Sequence, residues 1–68
     1  MSDRECILLY ERATGESIDG LDDPEIHAIC DDVRRVRKAQ SEEEAISAVL
    51  YWGHDEDWTR VAVKELRK

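Results

Sequence analysis

The stretch "ECILLYERATGESI", Glu5 to Ile18, decides the fold of this chain because it admits two readings. Five consecutive apolar residues, Cys6 to Tyr10, make a run of strand length, and "ATGE" has the turn chemistry of a hairpin, with Gly15 able to take a positive φ. The same residues also suit a helix. Ser2 and Glu5 stand at capping-box spacing, Cys6, Leu9, Tyr10 and Ala13 recur at helical intervals, and Gly15 fits a C-cap. The turn chemistry favours the strand.

Downstream, "DGLDDPEIHAICDDVRRVRKAQ" is the clearest helix. Asp22 or Asp23 serves as its N-cap, Pro24 suits its first turn, and Ile26, Ile29, Cys30, Val33 and Val36 form one apolar stripe. Acids at its start and bases at its end match the helix dipole. "SEEEAISAVLYWG" predicts a second helix of about three turns, with a Ser41–Glu44 capping box, Gly53 as the C-terminal stop, and Ala45, Ile46, Val49 and Leu50 buried. The link between them, around "KAQS", is short enough to force a corner or a hairpin.

The tail "DWTRVAVKELRK" repeats the ambiguity of the opening stretch. Thr59, Val61 and Val63 alternate as on a half-buried strand, whereas Trp58, Val61, Ala62 and Leu66 suit a helix; β-branched content favours the strand. The expected fold is therefore α+β, a small antiparallel sheet covered by two helices, within a single domain spanning residues 1–68. The alternative is an all-α bundle of four short helices.

At 68 residues the chain has room for only one small core, and a deep pocket holding substrate and catalytic groups is hard to build. A docking surface is not. Cys6 and Cys30 fit no zinc-ligand spacing, and both lie among apolar residues, so they are expected as reduced, buried thiols. "MSDRE" reads as neither a signal nor a transit sequence, and no apolar run reaches the ~20 residues of a membrane span. A soluble, cytoplasmic protein is expected.

Seventeen acids against ten bases give a net charge of −7. The charge is segregated. Glu16, Asp19, Asp22, Asp23, Glu25, Asp31 and Asp32 form one stretch without lysine or arginine, and Glu42, Glu43, Glu44, Asp55, Glu56 and Asp57 form a second. The bases gather in "RRVRK" and in the tail from Arg60. Such a protein repels nucleic acid and anionic membranes and is steered towards basic surfaces. On a helix, Arg34, Arg37 and Lys38 share a face, but direct nucleic-acid binding would work against the overall field.

Catalytic and metal chemistry find little support. His27 and His54 are the only histidines. A His27–Cys30 pair competes with the role of Cys30 in the apolar stripe. "HDED" offers one imidazole and lacks the ligand spacing of a zinc or calcium site. All the acids fall in runs that read as solvent-exposed, whereas acid–base catalysis wants one of a pair desolvated. No enzyme activity, cofactor or metal is expected.

The segments "GESIDGLDDPE", "SEEE" and "HDED" give a short, acidic chain that resembles the small phage-encoded anti-CRISPR proteins and DNA-mimic inhibitors. That resemblance implies a monomeric inhibitor docking on the basic nucleic-acid-binding surface of a CRISPR effector. The expected target is a type I Cascade complex, with DNA access blocked. The contact residues would be Glu16, Asp19, Asp22, Asp23, Glu42, Glu43, Glu44, Asp55, Glu56, Asp57 and Trp58. The competing expectation is a small regulatory or antitoxin-like partner that docks through an apolar surface.

Overall fold

A computed structural model describes residues 2–68, and these contain four α-helices and no strand: α1 (Asp3–Thr14), α2 (Asp23–Lys38), α3 (Glu42–Val49) and α4 (Glu56–Leu66), with a 3-10 turn, Leu50–Trp52, after α3. The α+β expectation is overturned in favour of its all-helical alternative. Both segments assigned to strands are helices.

For Glu5–Ile18 the end signals prevail over the apolar run. The Ser2 hydroxyl accepts the Glu5 N–H at 3.3 Å, and Gly15 closes the helix at φ 73°, donating its N–H to the Glu11 carbonyl at 2.8 Å. That left-handed conformation is open to glycine at little cost. The five apolar residues do not behave as a strand core. Cys6 is fully buried, Ile7, Leu9 and Tyr10 are half-buried, and Leu8 faces outwards.

The tail obeys the same geometry. Asp55 caps α4 by accepting the Trp58 N–H at 2.7 Å, and Thr59, Ala62, Val63 and Leu66 line the buried face at three- and four-residue steps. Val61, the middle residue of the apparent strand alternation, is 67% exposed. Packing of the 59/62/63/66 face overrides the weak strand preference of valine and threonine.

The two expected helices are present. Asp22 caps α2 through the Glu25 N–H, and Ser41 caps α3 through the Glu44 N–H. Glu44 reaches back to the Gln40 N–H at 2.7 Å, one residue before the usual capping-box donor. The second helix does not run intact to Gly53. Its last turn tightens to 3-10 geometry, and Leu50, expected inside, is exposed.

Each helix packs on its neighbours in sequence, and α4 closes back against α1. The shared core joins Cys6, Ile29, Cys30, Val33, Val36, Ala45, Ile46, Val49, Val63 and Leu66. With no phenylalanine in the chain, short side chains fill this space. Both cysteines are buried free thiols. Desolvation, chiefly, pushes the Cys30 thiol above its ordinary pKa, which keeps it in the unreactive protonated form.

Two arginines tie the C-terminal ends of α2 and α4 together. Arg37 of α2 donates to the carbonyls of Leu66 and Lys68, while Arg67 donates to those of Val36 and Ala39, at 2.7 and 2.9 Å. Each helix thereby sends a guanidinium to the otherwise unpaired carbonyls at the end of the other. Arg34 is paired with Asp3 across α1 and α2, and that bond, first among several causes, holds the Asp3 carboxyl below its usual range. The basic run is largely fastened into the fold.

Candidate functional site

The aromatic residues converge where the α1–α2 link meets the turn between α3 and α4. Trp52 stands edge-on to Tyr10, with ring centres 5.4 Å apart, and to Trp58 at 6.4 Å. His54 lies flat on Trp58, at 3.6 Å and 18° between planes. The two perpendicular contacts of Trp52 suit the ring quadrupoles. Gly53 makes the turn possible: at φ 90° it reverses the chain after Trp52 and places His54 against Trp58.

Asp32 anchors this cluster. It is only 3% exposed and accepts hydrogen bonds at one carboxylate oxygen from the Tyr51 hydroxyl and from Trp52 Nε1, the latter at 2.9 Å. Arg35 stands 3.5 Å from its other oxygen. Burial, reinforced by the Asp32 bond, pushes the Tyr51 hydroxyl above its ordinary pKa. The expectation that every acid is solvent-exposed fails at Asp32. Its position was legible: three residues after Ile29 and four before Val36, it falls on the apolar stripe of α2.

A cavity of about 320 Å³ opens beside the cluster, walled by Tyr10, Trp52, Trp58 and His54 and bounded by the carboxylates of Glu16, Glu25 and Asp32. Tyr51 forms part of its lining and, with Leu50, projects into solvent; they are 66% and 46% exposed. Glu16 accepts the Tyr10 hydroxyl at 3.3 Å and lies 3.9 Å from His54 Nε2. The Tyr10 hydroxyl is held above its ordinary pKa by burial first and then by the Glu16 charge.

The other acids expected at the partner surface are divided among separate tasks. Asp22 and Asp55 cap helices, and Glu44 completes the cap of α3. Glu42, Glu43 and Glu56 converge on one guanidinium, Arg60, at 2.9–3.1 Å. Bonds to Glu43 and Glu42, in that order, raise its pKa further above that of a free arginine. Asp19, Asp23 and Asp57 are exposed at a turn and in the first turns of α2 and α4. Of the expected contact residues, Glu16 and Trp58 alone line the aromatic cavity.

Among the described residues, no group of three or more His, Cys, Asp or Glu could hold a metal ion, and no helix is long and apolar enough to cross a membrane. His27 is exposed, whereas Cys30 is buried and directs its thiol to the Asp3 carbonyl at 3.7 Å. Compared with known protein families, curated proteins and solved structures, the chain matches none.

Proposed function

We propose that this chain is a small, non-enzymatic protein-binding partner of the regulatory or antitoxin-like kind, acting in the cytoplasm. It docks on a basic protein segment through the apolar lip of the aromatic cavity. The observation that carries this reading is the exposure of Tyr51 in the cavity lining, with exposed Leu50 next to it in the chain, beside a cavity lined by Glu16, Glu25 and Asp32. Apolar and aromatic anchors supply binding energy at protein interfaces, and the acids favour a cationic partner.

The acid-mimic reading, an anti-CRISPR-like block of DNA access on a Cascade complex, needs a continuous field of free carboxylates. Its principal candidates are instead occupied by caps and by Arg60. The two readings differ in their response to salt. Affinity capture from a host lysate, with the bound protein identified, should persist at about 0.5 M NaCl and be lost in Leu50→Asp, whose helicity is checked by circular dichroism. Capture that collapses with salt and ignores Leu50→Asp would refute the apolar reading and support the acidic one.

A further inference from the structure

We infer that the aromatic cavity is an anchor site for the guanidinium group of an arginine on the partner; the inference deepens the protein-binding reading above and rests on it. Three observations point to a planar cation. The walls are π-rich, formed by Tyr10, Trp52 and Trp58 set at steep angles to one another. The cavity carries three carboxylates, Glu16, Glu25 and Asp32, with no lysine or arginine in its lining. Its volume, about 320 Å³, has room for an arginine side chain.

A fourth observation is internal to the fold. His54 stacks on the Trp58 face at 3.6 Å while its Nε2 lies 3.9 Å from Glu16. A flat, nitrogen-bearing group thus already lies between an indole face and a carboxylate. A guanidinium that takes the place of His54 on this face reproduces the arrangement with a permanent charge and five donors. It stacks on aromatic rings more readily than an ammonium group because it is planar and more weakly hydrated. Glu25 at the α2 N-terminus offers the carboxylate for paired N–H donation. Asp32, already accepting from Tyr51 and Trp52, contributes charge without giving up its bonds.

Both tryptophans of the chain line the cavity, so intrinsic fluorescence reports directly on its occupancy. The test titrates the full chain with acetyl-Gly-Arg-Gly-amide and with its citrulline and lysine counterparts, at constant ionic strength. Amide NMR shifts locate the site. The arginine peptide should give a saturable change centred on Tyr10, Trp52 and Trp58. Citrulline, similar in shape but neutral, should bind about tenfold more weakly, the scale of one partly desolvated cation–π contact.

Lysine should fall between them, and Glu25→Gln should weaken arginine binding severalfold without altering the circular dichroism spectrum. Citrulline or lysine binding as well as arginine would overturn the assignment, as would shifts centred elsewhere or no saturation. The peptide experiment requires no partner. Its failure therefore leaves the Leu50→Asp capture result standing, and failure of that capture leaves the peptide result standing.

Discussion

Replacing Asp32 with alanine is the most informative single perturbation of this domain. The substitution deletes a carboxylate that is 3% exposed and accepts from both Tyr51 and Trp52. A hydrogen bond to a charged group contributes about 1.5–3 kcal/mol, and an orphaned buried donor costs about 1–3 kcal/mol. The two donors are not equivalent. Tyr51 is 66% exposed and its hydroxyl can rehydrate, whereas the indole N–H of half-buried Trp52 has less access to water. Relief from desolvating the carboxylate offsets part of the loss.

The net expectation is a destabilisation of roughly 2–3 kcal/mol for Asp32→Ala, a large fraction of the roughly 3–10 kcal/mol available to a domain of this size. Asp32→Asn retains an acceptor and should cost about half as much. Urea unfolding followed by far-ultraviolet circular dichroism gives both values. Tryptophan fluorescence in the same samples should show Trp52 released. Tyr51→Phe removes only the hydroxyl, and its double-mutant cycle with Asp32→Ala should show a coupling of about 1 kcal/mol. A loss below about 0.5 kcal/mol in Asp32→Ala, with no coupling to Tyr51, would refute the anchoring role.

Two further outcomes are expected. Tyr51 and Tyr10 both have hydroxyl pKa values raised above 10.0, so the folded state holds these protons more tightly than the unfolded chain. Their contribution is fully present below pH 10.0 and is lost as pH rises through the folded values. Absorbance titration at 295 nm should place the tyrosine midpoint above 10.0 in the native protein, with Tyr51→Phe flattening the alkaline loss; a midpoint at or below that value would contradict it. In the core, Leu66 is fully buried, and Leu66→Ala should cost about 2–5 kcal/mol by thermal or urea unfolding, whereas Leu50→Ala should change stability by less than about 0.5 kcal/mol.

The central helices could be read from local signals because those signals lie within one turn of chain. Asp22, Pro24 and the Ser41–Glu44 pair state where α2 and α3 begin. The outer helices were harder to read for a reason visible at Cys6–Tyr10 and Thr59–Val63. In each, apolar or β-branched residues coincide with strand spacing, and tertiary packing selects which of them face inwards. Ser2, Gly15 and Asp55 carried the correct information, since caps mark a helix even where its interior pattern is ambiguous.

The site was less legible than the fold. Counting acids identified charge but not employment: Glu42 and Glu43 meet Arg60 across a separation of seventeen or eighteen residues, which no local pattern encodes. The convergence of Tyr10 with Trp52 and Trp58 is equally non-local. "WGHDEDW" did mark the right place, for a reason other than its acids. Its rings and the turn at Gly53 build the cavity, while Asp55 starts the last helix.

The exchange of Arg37 and Arg67 has a consequence for how the domain opens. Helix termini ordinarily fray one by one, each at its own low free energy. Here, unwinding the last turn of α2 withdraws the donor from the end of α4, and unwinding α4 removes Arg67 from Val36 and Ala39. The two ends therefore form a mutual latch. Amide hydrogens in both final turns should exchange at matched rates, and loss of either arginine should release both ends together.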